Sequence, residues 1–199
     1  MGSEMCIRDR IKTLDESSFN NYFALFGELE IYSLDPVKLD TKRKELLIRL
    51  HPDRFCDGTA AQKRSSLQWT TRINQAYDVL KDPVKRAVYL CGLKGNIIDI
   101  EKSKAFSVEV LEQQMELREK LSEAVELFAE CGFDATKLDD LEFQASPMLS
   151  NSVFNMTKLF SDNFSKNKEI LNKIESQINI SLFAQKFIVD CSEVRRKFL

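Results

Sequence analysis

The chain has 199 residues, a formal net charge of −2 and 43% apolar residues, enough for one large domain or two small ones with modest cores. Only six glycines and four prolines are present, and no sustained period-2 alternation is found, so an all-α protein is expected. The charge balance argues against a surface built throughout for nucleic-acid phosphates. The absence of an 18-residue apolar run argues against a membrane span, and no charged-then-apolar leader is visible, which leads to the expectation of a soluble intracellular protein.

The five cysteines, Cys6, Cys56, Cys91, Cys131 and Cys191, are scattered and odd in number, without a C-x-x-C pair. Neither a disulfide framework nor a zinc site is suggested, and a reducing compartment fits. Residues Met1 to Arg10 read as part of a tail over 1–18 that carries no function.

In chain order, Ser17 or Ser18 can cap a short helix whose Phe19, Tyr22, Phe23 and Phe26 form one apolar stripe ending near Gly27. Asp35-Pro36 opens a second helix, Asp as cap and Pro at the first helical position. On its wheel Leu39, Leu46, Leu47 and Leu50 share one arc, while Lys38, Lys42 and Arg49 fall within about 40° of one another on a different one. Pro52 ends this helix, having no N–H and biasing His51 away from the α region. A third helix is expected from about 59 to 81, with Leu67, Ile73, Ala76, Tyr77 and Leu80 at helical spacing and Asp82-Pro83 closing it. The two long helices read as an antiparallel hairpin. A short helix over 83–90 precedes Gly92 and Gly95, and 92–104 reads as a connector between domains.

Beyond the connector the periodicity predicts helices over 107–131, about 151–178 and 181–198. Leu111, Met115, Leu121, Val125 and Phe128 give the first an apolar face. Val153, Met156, Phe160, Phe164 and Leu171 do so for the second, and Phe183, Phe187, Val194 and Phe198 for the third. Three such helices make a small bundle. The stretch 134–146 is ambiguous, readable as a short helix before Pro147. No internal repeat or low-complexity segment is found.

His51, the only histidine, could serve as a general base oriented by Asp53, but no nucleophile, metal ligand set or phosphate loop accompanies it. The reading is therefore not an enzyme, and no cofactor or metal is expected. A DNA-binding helix-turn-helix would use a shorter turn and a basic second helix. Here the basic face is on the first helix of the hairpin.

A short aromatic helix, a helix with a basic face, His51-Pro52-Asp53 in the following loop and an antiparallel partner helix together resemble the J domain of DnaJ-type co-chaperones. Further residues narrow the likeness: Tyr22-Phe23-x-Leu25-Phe26-Gly27, Ile73-Asn74-x-Ala76-Tyr77-x-x-Leu80 with Pro83, Arg86-Ala87-x-Tyr89-Leu90, and Glu116-Leu117-Arg118-Glu119. With these the chain resembles the HscB family, J-proteins of iron–sulfur cluster biogenesis. The resemblance implies a J domain over 19–91 and a C-terminal three-helix bundle over 105–199. It also implies a non-catalytic role: delivering an IscU-type scaffold to an HscA/DnaK-type chaperone and stimulating that chaperone's ATPase.

By that resemblance His51, Pro52 and Asp53 engage the chaperone's nucleotide-binding domain, and Lys42, Lys44 and Arg49 face an acidic surface on it. The scaffold would contact Leu111, Met115, Glu116 and Glu119, with Phe187 as a facing aromatic from the last helix. One departure stands out: where relatives commonly carry an apolar pair, this chain has Leu111-Glu112, which would shrink the apolar patch. Eukaryotic relatives often add an N-terminal cysteine-rich zinc module, and nothing before Phe19 supplies one, so a bacterial cytoplasmic setting is expected ahead of the mitochondrial matrix. Two other readings stay open: a J-protein for a different client, and a structural helical adaptor in which His51-Pro52-Asp53 is only a turn.

Overall fold

The computed structural model describes residues 21–56, 58–98, 108–160 and 164–198. Its described residues are helical with no strand, and they fall into two compact units, Met1–Leu90 and Cys91–Leu199. Phe19, expected on the first aromatic stripe, lies outside the described residues, as do 99–107 of the expected connector.

In the first unit, α1 (Tyr22–Leu25) is capped by Asn21, whose side chain accepts from the Ala24 amide at 2.8 Å. Gly27 ends this turn with φ of 61°, a left-handed conformation that favours glycine. Helix α2 (Pro36–Leu50) begins at Asp35, which accepts from Val37 N at 2.9 Å, with Pro36 at its first position. A 3-10 turn (Pro52–Phe55) follows. Helix α3 (Ala60–Lys81) opens with a capping box in which the Thr59 hydroxyl and the Gln62 side chain each satisfy the other's backbone amide. Helix α4 spans Pro83–Leu93.

The pairs joining α2 to α3 run in opposite senses along the two helices, so the hairpin is antiparallel. Asp40 accepts from the Tyr77 hydroxyl, Arg43 donates to Asn74 at 3.0 Å, and the Leu50 carbonyl accepts from Ser66 at 2.6 Å. The Arg43 guanidinium also lies 4.3 Å from the Tyr77 ring centre. Phe23, Leu39, Leu50, Ile73, Ala76 and Leu80 are buried; full burial of a Phe, Leu or Ile side chain contributes roughly 1.5–3 kcal/mol. Tyr89 stacks on Tyr22 at 4.6 Å and its hydroxyl accepts from the Tyr22 amide. Arg86 lies over the Tyr32 ring at 5.1 Å, and burial lowers the Arg86 pKa and raises that of Tyr32. Leu67, expected with the core of α3, is instead exposed. Its wheel position falls outside the arc of Ile73, Ala76, Tyr77 and Leu80, and Ser66 takes the buried place beside it.

The second unit is built on α5 (Val108–Cys131), α6 (Ala135–Leu159) and α7 (Lys168–Phe198), with a 3-10 turn at Phe164–Lys166. Its core joins Leu117, Ala124 and Phe128 of α5, Leu138, Leu141 and Ala145 of α6, and Phe187 and Cys191 of α7. Gly132, φ 95°, turns the chain between α5 and α6.

The boundaries here differ from expectation. Residues 134–146 belong to one long helix that starts at its Asp134 cap and passes through Pro147. That proline is exposed, while Leu141, Ala145, Ser152 and Met156 bury the opposite side; packing outweighs the roughly 3 kcal/mol that an interior proline costs. Helix α6 ends at Leu159 and α7 begins at Lys168, with no break near 180, because Asn167 caps α7, its side chain accepting from Glu169 N and Ile170 N. The run Ile178-Asn179-Ile180-Ser181, poor in helix propensity, stays helical with Ile178, Asn179 and Ser181 buried.

Candidate functional site

The residues at the end of α2 form a loop whose shape is set by its own backbone accounting. Pro52 removes an N–H that the last turn of α2 would otherwise use. The carbonyls left over find side-chain donors: Leu50 takes the buried Ser66 hydroxyl, and Ile48 takes the Arg54 guanidinium at 3.0 Å. Arg54 N donates to the His51 carbonyl at 3.0 Å, closing the 3-10 turn. Phe55 is buried and anchors the far side.

The polar tips stay in solvent: the side chains of His51 and Asp53 are 51% and 85% exposed. His51 Nδ1 lies 3.3 Å from the Asp53 amide and 3.4 Å from its carboxylate. One lone pair cannot accept the amide proton while Nδ1 also carries one, so the two contacts exclude each other. Accepting the Asp53 amide at Nδ1 leaves Nε2 as the ring nitrogen available to a partner. The arrangement is a fixed presentation of one donor and one carboxylate. Among the described residues no group of three His, Cys, Asp or Glu side chains could hold a metal.

Lys44 and Arg49 are exposed on α2, as is Lys38. Lys42 is not free in the way expected. Its ammonium forms an ion pair with Glu28 at 2.6 Å and donates to the Gly27 carbonyl at 3.3 Å, tying α2 to the end of α1.

In the second unit, Leu117, Ala124 and Phe128 turn to the core while Val108, Leu111 and Met115 lie on the opposite face of α5, Met115 62% exposed. Glu112, Glu116 and Glu119 are exposed beside them, and Glu116 pairs with Lys120 at 2.7 Å. Phe187 corrects an expectation. It is 2% exposed, part of the core, and cannot present its ring on a surface. Phe183, one turn earlier, stacks on Phe187 at 5.9 Å, stays half-buried and carries Arg118 of α5 at 5.3 Å over its ring. Both rings lie on one stripe of α7, and periodicity alone does not say which is outermost. Ser66 was also missed, although a serine within the core arc of α3 was its visible signal.

No family model matches the chain. A curated relative from Ralstonia nicotianae, a co-chaperone protein HscB homolog, is 38% identical over 125 residues, covering 63% of this chain and 68% of that protein. The chain belongs to the HscB co-chaperone family. HscB homologs from Bordetella pertussis and Paraburkholderia phymatum are 41% and 43% identical over 105 residues, 53% of this chain. Those matches span 62% and 60% of the relatives' own lengths. The fold is similar to that of HscB from Vibrio cholerae, with a TM-score of 0.70 at 27% identity over 90% of this chain and 99% of that one. Human HscB shares the fold, with a TM-score of 0.72 at 21% identity over 89% of this chain and 81% of that one. Among the described residues no helix is long and apolar enough to cross a membrane.

Proposed function

We propose that the chain is a co-chaperone that stimulates the ATPase of an HscA/DnaK-type chaperone and delivers an IscU-type scaffold to it during iron–sulfur cluster biogenesis in the bacterial cytoplasm. Residues 19–91 act as the J domain, 92–104 as connector and 105–199 as the scaffold-binding bundle. The chain performs no catalytic step and binds no nucleic acid.

The observation that carries this reading is the His51-Pro52-Asp53 loop, exposed at its tips yet held by Ser66, Arg54 and Phe55 beneath. A loop already fixed loses little conformational entropy on docking. Asp53 is the acceptor for an arginine on the chaperone, and the imidazole of His51 is an outward donor. Lys44 and Arg49 supply orientation and on-rate toward an acidic surface, an effect strongest at low salt. Lys42, spent on Glu28, contributes by fixing α2.

The scaffold face is the α5 row of Leu111 and Met115 with Glu116 and Glu119. Glu112, exposed where relatives commonly carry an apolar residue, narrows the apolar part and raises its negative charge. The test is ATPase stimulation of the cognate chaperone by wild type and His51→Gln, with scaffold capture by wild type and Met115→Ala. Stimulation that survives His51→Gln, or capture that survives Met115→Ala unchanged, contradicts the respective half of the reading.

A further inference from the structure

The three helices of the second unit leave a groove of about 480 Å³ that includes Glu116 but none of the other residues assigned above to the scaffold face. Its floor is apolar, with Leu117 of α5, Met148 of α6 and Ile180 of α7. Its rim is made of side-chain amides: Gln113 of α5, Gln144, Asn151 and Asn155 of α6, and Gln177 of α7. Each amide offers a carbonyl acceptor and an NH2 donor. Asn155 donates to Gln177 at 3.2 Å, and Gln144 accepts from Lys120 at 3.1 Å. The exposed Gln113 and Asn151 make no side-chain hydrogen bond among the described residues.

The chemistry of this lining selects its ligand. No lining residue is aromatic, so a base or a sugar ring finds no stacking platform. The one charged lining residue, Glu116, is paired with Lys120, so neither an anion nor a cation is favoured. Mixed donors and acceptors over an apolar floor match a peptide backbone with small apolar side chains. Pro147 also lines the groove and removes the N–H that the Phe143 carbonyl would ordinarily accept. The volume is that of an ordinary ligand pocket. Glu116 belongs both to this lining and to the acidic edge of the Met115 row, so the groove continues the face proposed for the scaffold.

We propose that the groove takes an extended, uncharged stretch of the same client polypeptide, so that the client is gripped on two sides of α5. The inference rests on the scaffold reading given above. The experiment uses the full chain, labelled with 15N at side-chain amides and 13C at methionine methyls, titrated with purified IscU-type scaffold. The expected result is movement of the NH2 signals of Gln113 and Asn151 together with the Met115 methyl. A Gln113→Ala/Asn151→Ala variant with wild-type melting should bind roughly tenfold more weakly, as for the loss of two ordinary hydrogen bonds. Movement of Met115 with still amides, or wild-type affinity in the variant, overturns the groove and leaves the scaffold reading standing. Stillness at both overturns both.

Discussion

Replacing Ser66 by alanine tests whether the docking loop is held from below. The Ser66 hydroxyl is buried and donates to the Leu50 carbonyl at 2.6 Å, one of the α2 carbonyls that Pro52 leaves without a regular helical partner. An ordinary hydrogen bond contributes about 0.5–1.5 kcal/mol, and a buried acceptor left unpaired costs about 1–3 kcal/mol. Thr70 lies 3.5 Å from the same carbonyl, too long for an effective bond. The expected loss is therefore about 1–2 kcal/mol, or roughly 5–15 °C in Tm for a unit of this size. The single tryptophan, Trp69, sits on α3 and reports urea unfolding of this unit by fluorescence. Ser66→Ala should lower the midpoint at unchanged slope, and Thr70→Ala should change stability by less than about 0.5 kcal/mol. A neutral Ser66→Ala, or a larger effect at Thr70, refutes the accounting for the loop.

Phe55→Ala removes the buried anchor of the 3-10 turn and should cost about 3 kcal/mol in the same urea assay, with ATPase stimulation falling even where the unit remains folded. Burial pushes the Cys91 thiol up to about 12 and that of Cys191 to about 11. Peptide mapping after brief alkylation of the native protein should therefore find Cys56 and Cys131, both exposed, modified well before these two. Bonds from Thr136 depress the Asp134 pKa, and Lys173 depresses that of Glu169. Each carboxylate contributes stability above its unfolded-state pKa and loses it as pH falls through the lower folded value. Asp134→Asn/Glu169→Gln should thus show a shallower drop in Tm between about pH 5 and 3 than wild type.

Much of the first unit was legible because its signals are local. Asp35-Pro36 marks a helix start by capping chemistry, Pro52 forces the loop, and the leucine arc of α2 faces the core as its period requires. Several of the residues that carry the family likeness hold the fold: Asn74 and Tyr77 lock α2 to α3, and Tyr89 grips Tyr22. What sequence did not reveal depends on contacts across distance. Lys42 shares a wheel arc with Arg49, but its partner, Glu28, sits in the loop that follows α1. Phe183 and Phe187 share a stripe, and only packing puts Phe187 inside. The α6 boundary failed because Pro147 lies on an exposed side where the bundle tolerates it, and the break near 180 failed because burial of Ile174, Ile178 and Ala184 on the same helix outweighs the weak propensity of the residues between them.

In the proposed role, an exposed, pre-shaped His51-Pro52-Asp53 loop couples this chain to a chaperone's ATPase. The most direct measurement is steady-state ATP hydrolysis by a purified HscA/DnaK-type chaperone with scaffold present, comparing wild type with His51→Gln at matched fold and concentration. Wild type should stimulate strongly, more so at low salt, and His51→Gln should leave hydrolysis near the unstimulated rate. Equal stimulation by the two proteins would contradict it.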